Sequence, residues 1–214
     1  MGFARWWDQT IVPRIIKCGC SVEPIMELRA RVVPEARGDV FELGCGGGIN
    51  QRFFDMARIT SFTGVDPSPQ LRESANETVV RKGWPGTIPV DIRHGYGENI
   101  PFPDESFDTV VTTFTLCSVN DQRRVLAELR RILRPGGTLL YLEHGLSPDA
   151  GIAKWQRRID PVWSKVFGNC HLSRTVHAAI GDAGFAVEPG GARYNPEGPK
   201  IAGWMEWGRA RKAG

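Results

Sequence analysis

A carboxylate, four glycines and a second carboxylate about twenty positions on could together bind a nucleoside. They stand in Glu42-Leu43-Gly44-Cys45-Gly46-Gly47-Gly48 and at Asp66. Glycines permit a tight turn and let backbone come close to a ligand. A helix opening just beyond them offers free N–H groups and a positive dipole end. An acid closing the following strand can hold two ribose hydroxyls. Two common phosphate loops do not fit. A dinucleotide fingerprint asks for a third glycine where Ile49 stands, which also disfavours a nicotinamide oxidoreductase. A Walker loop asks for Gly-Lys-Ser/Thr, and no lysine follows this loop.

The elements that would carry these residues alternate. Residues 1–37 read as helical, with Ile11, Val12, Ile15 and Ile16 on one face and Ile25, Leu28 and Val32 on another. A strand is expected at 39–43, a helix at 49–57 and a strand at 61–66, ending on Asp66. Pro67-Ser68-Pro69 opens a helix that runs to about Lys82, since proline is tolerated in a first turn. Strands follow at 90–94 and 109–116, the second a β-branched run suited to burial on both faces of a parallel sheet. Asn120 can cap the next helix, whose stripe is Val125, Leu126, Leu129, Ile132 and Leu133. Arg134-Pro135-Gly136-Gly137 stops it before a strand at 138–143. The last strands are expected at 185–188 and 203–210, with a loop from Gly190 to Pro199. Alternating strands and helices imply right-handed crossovers and a doubly wound, mostly parallel α/β sheet. Ligands then sit beyond the strand C-terminal ends, where every glycine and acid named above falls.

Composition narrows the partners. The 214 residues suit one domain, and 41% hydrophobic with 24% charged content is ordinary for a globular chain. Net charge is +3, and clusters such as Arg123-Arg124 and Arg130-Arg131 read as solvated helix faces, so nucleic acid is not an expected partner. Cys18, Cys20, Cys45, Cys117 and Cys170 are odd in number and irregularly spaced, which points to a reducing, cytoplasmic compartment. Cys18-Gly19-Cys20 has no His/Cys pair at finger spacing, and no metal site is expected. No apolar run approaches the roughly twenty residues that span a bilayer, and Gly2 lacks the Ser or Thr at position 6 of a myristoylation signal. Trp6 and Trp7 could give a weak membrane contact; more often such residues close over a pocket.

The pattern Glu-x-Gly-x-Gly-x-Gly followed by an acid resembles motif I of class I S-adenosylmethionine-dependent methyltransferases. Gly95-Tyr96-Gly97-Glu98-Asn99-Ile100-Pro101-Phe102, Ser106-Phe107-Asp108 and Leu133-Arg134-Pro135-Gly136-Gly137 resemble their later motifs in order and spacing, over roughly 38–145. A finer likeness is to the branch that includes alkyl thiol S-methyltransferases. It rests on Thr113-Phe114-Thr115-Leu116-Cys117-Ser118-Val119, Glu143-His144, Trp155-Gln156, Asp160-Pro161-Val162-Trp163 and Gly168-Asn169-Cys170-His171-Leu172-Ser173-Arg174. The branch reads Gly-Cys-x-Leu-x-Arg in the last segment. Here either Asn169 is extra or it replaces the glycine. Membrane-bound members carry an N-terminal apolar anchor; none is visible here, which implies a soluble form.

The resemblance implies a seven-stranded Rossmann-like sheet with an antiparallel last strand. It also implies S-adenosylmethionine as cofactor and S-adenosylhomocysteine as product. Glu42 would face the methionine ammonium. Gly44, Cys45, Gly46 and Gly48 would bring backbone to the methionine moiety, and Asp66 would take the ribose. Pro67 and Leu71 would pack on adenine, and Tyr96 and Gly97 would meet its edge. Tyr96 stands where many members carry an acid, and it can stack or donate its hydroxyl. Thr113 and Phe114 would lie beside the sulfonium; Asn50 and Glu98 complete the set. Cys45 and Cys117 read as small buried fillers, because direct methyl displacement needs no enzyme nucleophile.

One domain is expected over 1–214: a helical lid at 1–37, a cofactor core at 38–145, an acceptor-pocket segment at 146–175, and a C-terminal helix with strands at 176–214. Trp6, Trp7, Trp155, Trp163 and Phe167 would give the acceptor pocket aromatic walls. The acceptor is expected to be a small molecule, with a small thiol or hydrosulfide the best choice. An amine or oxygen acceptor such as a phospholipid amine or quinone precursor is the same-class alternative, and cofactor binding without catalysis the other. A thiolate is the nucleophile, so a base would help at neutral pH. His144, His171 and Asp160 are the candidates.

Overall fold

The computed structural model describes residues 21–213, so expectations that fall on residues 1–20, including Trp6, Trp7 and most of the lid, lie outside the described residues. The chain runs α1 (Glu23–Val32), β1 (Gly38–Leu43), β2 (Ile59–Val65), α2 (Pro69–Arg81), β3 (Val90–Arg93), β4 (Phe107–Thr113), α3 (Gln122–Ile132), β5 (Leu133–His144), α4 (Ala150–Val166), α5 (Val176–Asp182), β6 (Phe185–Tyr194), α6 (Lys200–Gly203) and β7 (Trp204–Lys212). The sheet order is β3-β2-β1-β4-β5-β7-β6. All pairings from β3 to β5 are parallel, and β7 runs antiparallel to both β5 and β6. The order reverses between β1 and β4, and a crevice opens beyond their C-terminal ends. No helix among the described residues is long and apolar enough to cross a membrane.

Alternation along each strand covers both faces. Phe41, Val110, Leu139 and Tyr141 pack under α3 and α5 with Leu126, Leu129, Ile132 and Ile180. Their neighbours Val40, Val111 and Leu140 face Val33, Phe54 and Phe62 on the other side, with Trp84 and Trp207 against that cluster. Trp84, just past α2, meets the Phe62 ring at 5.2 Å, so the segment that ends the helix also supplies core. Ser68 caps α2 by accepting the Leu71 N–H at 3.3 Å, with Pro69 in the first turn as expected.

Several boundaries depart from the sequence reading. The helix expected at 49–57 is a 3-10 turn, Ile49–Arg52, because Phe54 leaves the helical path to enter the core. Asp121 and not Asn120 caps α3; its Oδ1 accepts the Arg124 N–H at 3.0 Å. Pairing in β5 begins at Leu133, before the glycines, with a register slip between Phe107 and Thr109 of β4. Gly190 and Gly191 do not start a loop. They lie in β6 at a bulge, where a Cβ would meet the Trp207 side chain at 2.9 and 2.5 Å respectively. Glycine there makes room for a tryptophan.

The described part of the N-terminal region is built into the body. Ile25 and Leu28 of α1 are buried against Leu142 and Met205, and Arg29 is 3% exposed. Residues 23–35 therefore pack as part of the fold's wall.

Candidate active site

A cleft of ≈ 380 Å³ lies at the β1/β4 crevice. Of the expected cofactor residues, Glu42, Gly44, Cys45, Gly46, Asn50, Asp66, Pro67, Leu71, Tyr96, Gly97, Glu98, Thr113 and Phe114 all line it. Gly48 does not. Its N–H is bonded to the Cys45 carbonyl at 3.0 Å, and its φ of +78° turns the chain into the 3-10 segment.

The first amides of the loop are turned inward. The N–H groups of Gly44 and Cys45 donate to the Val65 carbonyl, and that of Gly46 to Asp66 Oδ2 at 3.1 Å. A Cβ on Gly44 would stand 2.4 Å from Thr115 Oγ1, whereas one on Gly46 would meet nothing nearer than the Gly44 carbonyl at 3.9 Å. Gly44 is thus required by packing, and Gly46 keeps the cleft open. Asp66 Oδ1 accepts the Ser68 N–H at 2.8 Å, so its carboxylate ties the loop to α2. Burial raises its pKa, and the Ser68 and Gly46 amides pull it back.

Beneath the loop lies a buried polar network. The Arg29 guanidinium donates to Asn50 Oδ1 at 2.6 Å and to Thr113 Oγ1 at 2.7 Å. Asn50 Nδ2 donates to Glu42 Oε1 at 2.6 Å and to Thr113 Oγ1 at 2.9 Å. Glu42 Oε2 is buried and has no partner among the described residues. Burial lifts the Glu42 carboxyl to about 8, against the pull of Asn50 and Arg29 and with a further push from Asp66. A buried carboxyl oxygen left without a partner at the floor of the cleft fits the ammonium of an amino-acid moiety, which would supply the missing donor and counter-charge. Arg29 was not foreseen; it stands in a helix read only as a lid.

The opposite wall is a strained turn. Phe114 has φ +54°, rare for a bulky residue and costing on the order of 1–3 kcal/mol. Its N–H bonds the Leu142 carbonyl, and its ring lies 4.8 Å from the His144 ring and 5.3 Å from the Arg29 guanidinium. Glu143, fully buried, accepts the N–H groups of Thr115 at 3.1 Å and Cys117 at 3.3 Å. Arg174 donates to the carbonyls of Leu116 and Val119, both at 2.6 Å. Asn169 takes a left-handed φ of +63° and donates to the Ser118 carbonyl at 2.7 Å. It thus adopts the backbone a glycine would favour and adds an anchor glycine lacks. Glu98 accepts the N–H groups of Asn120 and Asp121, so its carboxylate is engaged by the start of α3.

None of the three expected bases lines the cleft. Asp160 Oδ2 lies 2.8 Å from His171 Nδ1, and Oδ1 accepts the Ser173 N–H, a pairing that fastens 171–173 to α4. His144 stands behind Phe114, its Nδ1 3.8 Å from Cys170 Sγ. The expected aromatic walls also differ. Trp155 is 56% exposed, Trp163 stacks on Phe167 at 4.0 Å, and of residues 146–175 the cleft takes Gly168. Cys45 is a filler, its side chain packed where a Cβ on Gly64 would fall.

A glycine loop, a buried acid closing the second strand and an orphaned Glu42 oxygen at a sheet switch point define a Rossmann-like domain for a nucleoside-bearing cofactor. Residues 41–141 match the methyltransferase domain family. The chain is 34% identical over 179 residues to thiol S-methyltransferase TMT1B of Rattus norvegicus, covering 77% of this chain and 68% of that protein. It is 33% identical over 108 residues to phosphatidylethanolamine N-methyltransferase of Cereibacter sphaeroides, covering 50% and 51%. The crystal structure of an S-adenosylmethionine-dependent methyltransferase of Thermotoga maritima, described as a possible histamine N-methyltransferase, superposes with a TM-score of 0.61 at 25% identity, covering 98% and 94%. The chain belongs to the class I S-adenosylmethionine-dependent methyltransferases. Its cofactor is S-adenosylmethionine.

Proposed function

We propose that this enzyme methylates the sulfur of a small thiol. The observation that carries the reading is the convergence of two segments far apart in sequence. The turn 113–119 and the segment 168–174, both resembling alkyl thiol S-methyltransferases, lock together through Arg174 and Asn169 and form the wall beside Phe114. A relative described as a thiol S-methyltransferase, similar over most of this chain, supports it.

In this reading Asp66 holds the ribose, Glu42 the ammonium, and the bare face of Gly46 lets the methionine moiety lie flat. S-adenosylmethionine supplies the sulfonium methyl. Phe114 and Thr113 bound the space where an acceptor sulfur would approach, and Phe114 excludes water from it. Holding the two reactants in line can supply several kcal/mol of the barrier, so no enzyme base is required beside the sulfur. An amine acceptor is the second reading, favoured by the phospholipid-methylating relative. A product screen separates them: methyl-labelled S-adenosylmethionine with hydrosulfide, alkyl thiols, amines and phenols. Labelled methyl sulfides are expected; label in amines or phenols alone would overturn the thiol assignment, and no label in any acceptor would favour a binding protein.

A further inference from the structure

Cys117, His144 and Cys170 come from the β4 turn, the end of β5 and the loop after α4, and their ligand atoms all lie within 4.8 Å of one another. Cys117 Sγ and Cys170 Sγ are 3.8 Å apart, and Cys170 Sγ is 3.8 Å from His144 Nδ1. A tetrahedral zinc ion with bonds of about 2.3 Å to sulfur and about 2.0 Å to nitrogen places two sulfurs about 3.8 Å apart and sulfur about 3.5 Å from nitrogen. A disulfide needs an S–S distance of about 2.05 Å. The observed spacing is that of a metal cradle.

We propose that these three side chains bind one thiophilic divalent cation, of the zinc class, and leave its fourth position to an exogenous ligand. The sequence reading expected no metal, because the ligands stand 53 and 26 positions apart and form no motif. Both cysteines are held from outside the cluster, and the Phe114 ring packs against His144. Glu143 binds the Cys117 N–H, the His171 N–H binds the Cys117 carbonyl at 2.8 Å, and the left-handed pair Gly168 and Asn169 aims Cys170. Ser118 Oγ lies 3.4 Å from Cys117 Sγ. Two thiolates and a neutral imidazole balance a dication. Three protein donors with an open fourth position are the pattern of a reactive rather than a structural zinc site.

The cradle backs onto the cleft. Phe114, Ser118 and Gly168 line the cleft and are, in turn, ring partner of His144, neighbour of Cys117 and two residues before Cys170. The open position suits the acceptor thiol, a step that rests on the thiol reading. A thiol held at that position would lose its proton to water, and methyl transfer to it would then balance as follows. Its sulfur lone pair forms the new S–CH₃ bond, the methyl–sulfonium bond breaks, and that electron pair stays on the sulfur of S-adenosylhomocysteine. The neutral thioether, a weaker ligand, then leaves.

Cobalt(II) is the probe, titrated into the full chain under a phosphine reductant. One equivalent should give a thiolate-to-cobalt charge-transfer band with tetrahedral d–d intensity, discharged by one equivalent of zinc. Cys170→Ser and His144→Ala should each weaken cobalt binding about 100-fold or more. S-adenosylhomocysteine affinity by calorimetry certifies that these variants fold. The double variant Cys18→Ser/Cys20→Ser should keep the band. No charge-transfer band, a band surviving in both Cys117→Ser and Cys170→Ser, or a band lost in the Cys18/Cys20 variant overturns the site. A small alkyl thiol should shift the band; a band indifferent to thiol overturns the acceptor role alone. A cobalt site in an enzyme that methylates only amines would leave the metal proposal standing and remove the thiol reading.

Discussion

Replacing Glu42 by Gln changes charge and little else, since the amide oxygen can still accept from Asn50. In the empty cleft the wild-type carboxyl titrates at about 8 instead of 4.5. That displacement corresponds to roughly 5 kcal/mol against the ionised form. The sign follows from linkage. Between those pH values the native state keeps a proton that the unfolded chain has lost, so wild-type stability falls as pH rises from about 4.5 to about 8 and levels above. Glu42→Gln lacks this loss, and without ligand at pH 8.5 it should be the more stable protein, by up to about 5 kcal/mol. Binding reverses the preference. An ammonium beside Oε2 supplies the missing counter-charge, so cofactor binding at pH 7 should expel close to one proton from the wild type and none from the variant. Calorimetry in buffers of different ionisation enthalpy reads this directly. The wild-type Kd for S-adenosylhomocysteine should tighten about tenfold per pH unit from 6 towards 7.5, while the variant stays flat. The ligand's own amino group titrates alike in both, and the difference isolates Glu42. Equal proton release and parallel pH profiles in the two proteins would refute the assignment.

Gly46→Val should abolish cofactor binding yet leave the circular dichroism spectrum intact, because its side chain would enter the open cleft; Gly44→Val should unfold the domain, because its Cβ would strike Thr115 at 2.4 Å. Cofactor affinity retained in the first or a native melt in the second would contradict this. Asp66→Ala should cost about 1.5–3 kcal/mol of cofactor affinity in calorimetry, since it would remove the acceptor proposed for the ribose and free the Gly46 and Ser68 amides it holds. Arg29→Met should lower stability by about 3 kcal/mol in thermal unfolding, through loss of its bonds to Asn50 and Thr113, and an unchanged melting temperature would show the network to be dispensable.

Much of this site was legible in the chain because it is local. The glycine loop, Asp66 and the strand ends carry their meaning in spacing along a few residues, and the parallel sheet follows from alternation. Local signals also misled. Gly190 and Gly191 read as a loop because sequence does not show that Trp207, on the neighbouring strand, needs their space. Asn120 and Asp121 are equally good caps on paper, and only the backbone path chooses the second. Features made by long-range contact were not legible at all. Arg29 reaches Thr113 across 84 positions, and Cys117 meets Cys170 across 53. Asp160 and His171 each read as a candidate base, and only the structure shows them paired with each other, tying the loop to α4.

The identity of the acceptor atom is the claim on which most rests. A matched pair tests it most directly: an alkyl thiol and the primary amine of the same chain length, each assayed for kcat/KM with methyl-labelled S-adenosylmethionine and the product identified by mass. The account predicts rapid conversion of the thiol to its methyl sulfide and no detectable methylamine. Turnover of the amine with an inert thiol would contradict it.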